Sequence, residues 1–342
     1  MQNKSSLTGS VGWALAVVLA IVFPLALSNI YWTSVLTNIL IYVLMAVSLR
    51  TIYLVGEFSL GHVGFMCVGA YTSALLTLKA SLPFALTLPI GGALAGFTAF
   101  LLGYPFMRVK GIYFVILTLV TSESFRQLAL NWRNFTGGTD GLIGFPGAGS
   151  LSVPGIGQVD FSGPNEYYYL TLSVVCVSLY ILYRIEKSRL GFIWLAIRET
   201  DKMAGAVGIN VLRYKVINFS VACFFAGIGG VLLAHSEQAL SAMEGASFGV
   251  MTTIYLLVYM VVGGKMRFEG PIFGAVVLSL VSEFTRPVEE YRPMIIGAIA
   301  IAVVILLPDG LSIIPEKVGL WKFNSLITKS KTDMEPKKQE DP

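Results

Sequence analysis

Three polar side chains interrupt the apolar sequence at residues 56–64. Glu57 carries a carboxylate, Ser59 a hydroxyl and His62 an imidazole, and glycines such as Gly61 separate them. Non-helical backbone at membrane depth is tolerated only where it is buried in protein or lines a water-filled cavity. Two interpretations remain open: a broken helix whose polar groups line a pathway or form a hinge, and a plain turn at the cytoplasmic surface.

A second candidate for chemistry is Glu123, which lies in an apolar stretch three residues before Arg126. On a helix this spacing places both side chains on one face. Ionisable residues inside a membrane segment are costly and are functional candidates by default. The two residues therefore form a structural ion pair near the outer end of their helix, or Glu123 lines a substrate pathway.

Residues 245–249 match the G-x-S-x-G pattern of hydrolase nucleophiles, with Ser247 in the central position. Such a serine acts when a strand–turn–helix bend exposes it beside a histidine that a carboxylate orients. The chain has two histidines, His62 and His235, and no strand-rich pattern around the motif. We therefore interpret residues 236–248 as a polar break or an external loop between helices.

Signals for a cofactor, a metal or a nucleic acid are missing from the sequence. The three cysteines lie among apolar residues, without the spacing of a metal site. No Walker A motif occurs, because residues 263–266 lack its spacing and its hydroxyl. The net charge of +4 is concentrated in a few loops, which favours protein and membrane lipid as partners. We expect no cofactor or metal on this chain; any ATP that drives it would be bound by other subunits.

The composition indicates which elements must position these residues. Hydrophobic residues make up 55% of the 342 residues and charged residues 13%, whereas soluble domains carry about 25% charged residues. We therefore predict an all-α polytopic membrane protein. About ten apolar stretches approach the ~20 residues needed to cross a bilayer, and eight or nine helices also fit the pattern. The stretches are residues 11–28, 31–49, 63–79, 83–104, 111–130, 167–184, 214–235, 249–264, 271–285 and 293–308.

Two regions interrupt this helical pattern, near residues 56–62 and 236–250, and both are candidates for broken or re-entrant segments. The first apolar stretch follows Lys4 as in a signal peptide, but it ends in a poor cleavage site. We therefore expect a retained first helix and a membrane domain over residues 1–312. The Lys-rich tail at 313–342 is predicted to be cytoplasmic and disordered.

The placement of lysine and arginine predicts the orientation, since basic residues favour the cytoplasmic side in short loops. Seven basic residues lie between positions 184 and 215, whereas residues 131–166 contain only Arg133. We therefore predict that residues 186–213 are cytoplasmic and that 131–166 form an external loop. That loop is rich in glycine and proline, which favours a folded cap or a docking surface for an external protein. Both chain termini are then cytoplasmic.

Short motifs follow one another over most of the chain. They comprise residues 59–62 (Ser-Leu-Gly-His), 69–71 (Gly-Ala-Tyr), 109–114 (Val-Lys-Gly-Ile-Tyr-Phe), 136–142 (Thr-Gly-Gly-Thr-Asp-Gly-Leu), 188–191 (Ser-Arg-Leu-Gly), 196–199 (Ala-Ile-Arg-Glu), 204–210 (Ala-Gly-Ala-Val-Gly-Ile-Asn), 261–264 (Val-Val-Gly-Gly), 270–275 (Gly-Pro-Ile-Phe-Gly-Ala) and 308–311 (Pro-Asp-Gly-Leu). In this order they resemble the LivM type of permease subunit from the ATP-binding-cassette (ABC) importers for branched-chain amino acids. The chain departs from the usual pattern at residues 240–242 and at Lys265 and Arg267.

The resemblance implies a heteromeric importer in the cytoplasmic (inner) membrane of a bacterium or archaeon. Its partners would be a second, homologous permease, two cytoplasmic ATPase subunits and an external substrate-binding protein. This chain would then be a transport subunit without an ATPase site of its own. Relatives of the family import leucine, isoleucine and valine, and others take urea, short amides or aromatic acids. A gradient-driven secondary transporter is a competing class, but it would need ionisable residues in the middle of its helices, and most apolar stretches here have none.

Residues 188–210 form a charged segment between two apolar blocks. Its composition predicts one helix from Phe192 to Val207 that ends at Gly208. By resemblance this segment is the coupling element that docks into an ATPase subunit. The residues implied are Arg198, Glu199, Asp201, Ala204, Gly208 and Ile209. The short helix does not reveal which of its faces docks.

Overall fold

The computed structural model describes residues 29–153, 157–243, 247–307 and 310–311. The first apolar stretch at 11–28 and the tail at 313–342 lie outside the described residues. Within the described part the remaining nine apolar stretches all form helices, as predicted. The helices are α1 (Ile30–Tyr53), α2 (His62–Ala80), α3 (Phe84–Phe106), α4 (Ile112–Asn131), α5 (Arg133–Thr136), α6 (Pro164–Glu186), α7 (Arg189–Glu199), α8 (Asp201–Ala206), α9 (Val211–Glu237), α10 (Val250–Gly263), α11 (Gly270–Phe284) and α12 (Arg292–Leu306).

Length and apolarity together distinguish the described helices, and α4, with 20 residues, is long but is not among the most apolar. Five are long and apolar enough to cross a membrane: α1, α2, α3, α6 and α9. Three shorter apolar helices, α10, α11 and α12, have 14 or 15 residues and are about 21–23 Å long. That is less than the ~30 Å of a bilayer core. The all-α polytopic membrane fold is therefore confirmed, and the last three helices match the predicted stretches to within two residues in length.

Helix α9 lies at the centre of the bundle and packs against α1, α2 and α3. Glycines allow this close packing, because an added Cβ at Gly230 would lie 2.0 Å from the backbone oxygen of Met66. A Cβ at Gly69 would similarly lie 2.3 Å from the backbone oxygen of Gly227. Small residues at helix interfaces let the backbones approach in membrane proteins. The glycines in these helices therefore serve tight packing.

The region 131–166 is folded rather than a succession of turns. It contains α5 and three short strands: β1 (Leu142–Ile143), β2 (Ser150–Val153) and β3 (Gly157–Asp160). A fourth strand, β4 (Ala239–Leu240), comes from the connection after α9. Strand β1 pairs antiparallel with β4, and β2 pairs antiparallel with β3. Gly141 permits the first pairing: its φ is +71°, and a Cβ there would lie 2.2 Å from the backbone oxygen of Leu240.

Both regions expected to be broken do interrupt the helices. The first is the segment 54–61 between α1 and α2, where Gly56 adopts a φ of +83°. The second begins at Gln238, which ends α9 in the left-handed conformation, and continues through β4 to the start of α10. It contains a short strand and turns in its described residues. Because the second break is tied to β1, it belongs to the same end of the bundle as 131–163.

The antiparallel helices give the bundle two distinct ends. We call one the basic end; it comprises the connections at 54–61, 107–111, 187–210 and 264–269. The other, the opposite end, comprises 81–83, 132–163 and 238–249 in their described parts. Residues 188–210, the charged segment, thus lie next to three other connections.

Candidate functional site

The charged segment consists of two helices, so the prediction of one continuous helix over 192–207 is wrong. Ser188 begins α7 by accepting a hydrogen bond from the backbone nitrogen of Leu190 at 3.2 Å, as an N-cap residue does. The helix is interrupted at Thr200, whose φ of −160° and ψ of 106° are extended. Helix α8 then starts at Asp201. The chain changes direction here because an extended residue cannot continue the helical hydrogen bonds.

The end of the charged segment agrees with the prediction. Gly208 has a φ of +87°, and the backbone nitrogen of Ile209 donates to the oxygen of Ala204 at 3.1 Å. This six-residue closure with a left-handed glycine is the Schellman motif. Gly208 is exposed, Ile209 is half-buried and Ala204 is buried. The glycine is therefore required by backbone conformation, whatever it contacts in an assembly.

One side of the charged segment packs onto the bundle. The Trp194 side chain is fully buried and its indole nitrogen donates to the backbone oxygen of Tyr214 at 3.1 Å. The Arg198 side chain is only 20% exposed. Its guanidinium lies 5.7 Å from the centre of the Tyr53 ring, a cation–π distance, and 3.5 Å from the sulfur of Met266. Arg198 thus contacts the end of α1 and the connection 264–269 and is not a freely exposed docking residue.

The other side of the charged segment points away from the bundle. Glu199 is 75% exposed in its side chain, Met203 is 72% exposed and Val207 is 77% exposed. We call these three residues the outward face. Large apolar side chains grouped on an exposed surface mark a protein or membrane contact. The predicted residues thus differ in burial, because Glu199 is mostly exposed while Arg198 and Ala204 lie against the bundle. The Arg198 guanidinium still donates to a Glu199 carboxylate oxygen at 3.2 Å.

A buried ion triad connects the charged segment to the break between α1 and α2. The Lys215 ammonium lies 3.0 Å from a carboxylate oxygen of Glu57 and 3.2 Å from one of Asp201. Lys215 is only 5% exposed in its side chain. We call Lys215, Glu57 and Asp201 the Lys215 triad. Lys215 thus joins Glu57, expected as a pathway residue, to Asp201, expected as a coupling residue.

Asp201 has a second, exposed partner. The ammonium of Lys110 lies 2.7 Å from the same carboxylate oxygen, and its side chain is 69% exposed. Burial raises the pKa of the Asp201 carboxyl, but the hydrogen bond from Lys110 and the charge of Lys215 together outweigh it, so the pKa is lowered overall. The hydrogen bond to Asp201 raises the pKa of Lys110. All these contacts hold Asp201 in its charged form.

A second buried ion pair lies just before the charged segment. The Arg50 guanidinium donates to both carboxylate oxygens of Glu186, at 2.7 and 3.0 Å. It also donates to the backbone oxygens of Lys265 and Met266 at 3.0 and 2.9 Å. Arg50 therefore joins the ends of α1 and α6 to the connection 264–269.

The other polar residues of 56–64 are buried against protein. The Ser59 hydroxyl accepts a hydrogen bond from the backbone nitrogen of Gly61 at 3.1 Å. A Cβ at Gly61 would lie 2.9 Å from the backbone oxygen of Thr118. The His62 ring is buried and its Nε2 lies 2.7 Å from the hydroxyl of Ser48. These three residues are thus packed against other parts of the protein.

Glu123 forms the expected ion pair. The Arg126 guanidinium donates to both of its oxygens, at 2.8 and 2.5 Å, and also to the backbone oxygen of Ala242 at 2.8 Å. Glu123 precedes the last residue of α4 by eight positions, about 12 Å. The exposed residues of α4 include Ile116 and Val120 before Glu123, and beyond it three polar residues together with Leu128: Ser124, Gln127 and Asn131.

Ser247 has no histidine beside it. Its hydroxyl donates to a carboxylate oxygen of Glu237 at 3.0 Å. His235 instead contacts the hydroxyl of Ser73 at 2.9 Å and the backbone oxygen of Pro146 at 3.2 Å. His62, the other histidine, contacts Ser48. Ser247 therefore does not form the nucleophile–base pair of a serine hydrolase with either histidine.

Comparison with known proteins identifies the family to which this chain is similar. The profile described as "Branched-chain amino acid transport system / permease component" matches residues 31–304. The high-affinity branched-chain amino acid transport system permease protein LivM of Escherichia coli (strain K12) is 31% identical, over 86% of this chain and 72% of the relative. LivM of Salmonella typhimurium is equally similar, at 31% identity over the same shares. The ribose import permease protein RbsC of Escherichia coli (strain K12) is 26% identical, over 86% of this chain and 92% of the relative.

No solved structure matches the chain significantly. The family profile nevertheless covers α2 to α11 completely and most of α1 and α12, so it includes the charged segment and both breaks. The apolar helices and this match lead to the same conclusion. The chain is a multi-pass membrane protein that belongs to the family of branched-chain amino acid transport system permease components.

Proposed function

We propose that this chain is the membrane-spanning permease subunit of an ABC importer that moves branched-chain amino acids inward. The observation that carries the proposal is the family match over residues 31–304, together with the 31% identity to LivM. ATP would be bound and hydrolysed by separate subunits. The chain itself then performs no chemical reaction; it supplies the route and changes conformation.

The arrangement of the basic end supports this division of labour. Met203 and Val207 of the outward face are apolar and mostly exposed, whereas Arg198 on the inner side is packed against Tyr53. We infer that the outward face docks into a cleft of an ATPase subunit and that the inner side transmits its movement to the helices. The basic end is then the cytoplasmic end, and both chain termini lie in the cytoplasm.

The route for substrate is inferred from α4. A polar face in the second half of a membrane-spanning helix is unfavourable toward lipid, so we expect Ser124, Gln127 and Asn131 to face water or protein. The second, homologous permease would lie opposite this face, and Glu123 at its margin would contribute to the route. The external binding protein would dock at the opposite end, on the folded region 131–166. The assembly would lie in the cytoplasmic membrane, with two ATPases.

Substrate identity is the finer part of the proposal. The match to RbsC, a ribose permease by name, makes a sugar the alternative to test. We therefore propose reconstitution of the purified complex, with its binding protein, into proteoliposomes loaded with ATP. Uptake of labelled leucine, isoleucine and valine is expected, with ribose not transported. Ribose uptake without amino acid uptake would refute the substrate assignment, and uptake without ATP would refute the importer class.

A further inference from the structure

We propose that Lys215 is the positioning residue through which movement of the charged segment reaches the break between α1 and α2. This inference rests on the proposed function, because it assumes that the segment is moved by an ATPase. The observation that carries it is the Lys215 triad. One ammonium joins Glu57 of the break and Asp201 of α8, at 3.0 and 3.2 Å.

The three members of the triad belong to three different elements. Asp201 begins α8, Glu57 lies in the non-helical segment 54–61, and Lys215 lies in the first turns of α9. Asp201 and Glu57 are 144 positions apart in the chain. The ion triad thus provides a side-chain connection between the charged segment and the break that adjacency in sequence could not supply.

Burial makes this connection stiff. A buried ammonium is unfavourable unless it is paired, and removal of one partner leaves an uncompensated charge inside the protein. Lys215 is 5% exposed and Glu57 is 9% exposed in their side chains. Both side chains are thus shielded from water by the surrounding protein. Displacement of Asp201 therefore pulls on Lys215 and, through it, on Glu57.

The break is the element best able to respond. Its backbone leaves the helical conformation at Gly56, where φ is +83°, and it continues directly into α2. Arg198 contacts the same break at Gly56, where an added Cβ would lie 3.3 Å from its side chain. The packing of Arg198 and the triad of Lys215 thus link the charged segment to two adjacent residues of the break, Gly56 and Glu57. Of these two contacts, the Lys215 triad is the one whose charges can be removed by substitutions that keep the side-chain volume.

Lys110 provides a matched control. It is also a lysine within ion-pair distance of Asp201, at 2.7 Å, but its side chain is 69% exposed and surrounded by solvent. Exposed ion pairs contribute little, because water solvates each partner when the pair separates. Lys110→Met removes one charge beside Asp201 and leaves the link to Glu57 intact. It should therefore leave coupling unchanged.

The experiment compares three variants of the assembled complex: Lys110→Met, Lys215→Met and the neutral triple variant Lys215→Met/Glu57→Gln/Asp201→Asn. The triple variant removes all three charges with little change in volume, so it avoids unpaired buried carboxylates and should fold. The readouts are recovery of the complex, ATP hydrolysis and the number of substrate molecules transported per ATP. We expect Lys110→Met to equal the unchanged chain and the triple variant to lose at least tenfold in transport per ATP, with recovery and hydrolysis retained.

A second readout follows the break without any substrate. Leu60→Cys is introduced with the half-buried Cys176 replaced by serine, and its reaction with a maleimide is timed in ADP and in ADP with vanadate. With the unchanged triad, we expect the labelling rate in ADP to differ at least threefold from the rate in ADP with vanadate. In the triple variant, we expect the two rates to be equal. A triple variant with the original transport per ATP and the original labelling change would overturn the proposal.

The two proposals fail in different ways. If the unchanged complex hydrolyses ATP and its Leu60→Cys labelling responds to nucleotide, but no amino acid is taken up, the assigned substrate is wrong and the role of Lys215 stands. If amino acid uptake is normal but labelling never responds to nucleotide, the role of Lys215 is wrong and the importer assignment stands. A chain that binds no ATPase would overturn both.

Discussion

The outward face allows one prediction about docking to be worked out in detail. Met203 and Val207 expose 72% and 77% of their surface and touch little of the bundle. Full burial of such a side chain contributes about 1.5–3 kcal/mol. We propose the double variant Met203→Ala/Val207→Ala, which removes most of this apolar surface and adds no charge.

The expected loss follows from these numbers. About three-quarters of each side chain would become buried on docking, and alanine keeps part of that surface. The double variant should therefore lose about 2 kcal/mol of binding free energy, which corresponds to a dissociation constant for the ATPase subunit raised about 30-fold. Thermal unfolding of the permease alone should stay the same, because the two side chains make few contacts within it.

The assay is binding of the purified ATPase subunit to the permease in lipid nanodiscs. A suitable control is Leu94→Ala, which also shortens an exposed apolar side chain, 42% exposed, but on α3, away from the charged segment. The control should bind the ATPase normally. An unchanged dissociation constant for the double variant would refute the docking of this face.

Three further predictions test other parts of the reasoning. Glu199→Lys should weaken ATPase binding because Glu199 faces outward. Arg198→Glu should instead loosen the charged segment from Tyr53 and lower transport per ATP more than it lowers binding. Equal effects of the two changes on binding would contradict the assigned faces. Gly230→Ala should destabilise the bundle by about 1–3 kcal/mol, because its new Cβ would lie 2.0 Å from a backbone oxygen of α2. The measurement is the unfolding temperature in detergent, which should fall. An unchanged unfolding temperature would show that the helices can separate there at no cost. Ser247→Ala should keep most of the uptake, and complete loss of uptake would reopen a chemical role for that hydroxyl.

The sequence was most informative where a pattern of neighbouring residues is sufficient to predict the local structure. Apolar runs of about 20 residues can be satisfied only by helices in a bilayer, so nine described helices were predicted at nearly their observed positions. Gly208 was predicted to end a helix because a left-handed residue at that place favours glycine. Neither prediction depends on which parts of the chain come together.

Interruptions within a short polar helix were less predictable. Residues 192–207 have helix-compatible composition throughout, and Thr200 differs from its neighbours by only a modest propensity. The packing of Trp194 and Arg198 on one side, and of Asp201 with Lys215 on the other, decides where the chain bends. Propensity of that size is easily overridden by tertiary contacts.

By itself, the sequence determined the class of protein, the helices and the charged segment, because hydropathy and backbone preferences act over a few neighbouring residues. The motifs also indicated the family before any comparison. Only the tertiary structure decided that Arg198 faces the bundle while Glu199 faces out, and that Glu57, Asp201 and Lys215 meet. The physical reason is that ion pairs between distant elements depend on how the helices cross, and a single sequence carries no local signal of which buried lysine will meet which carboxylate.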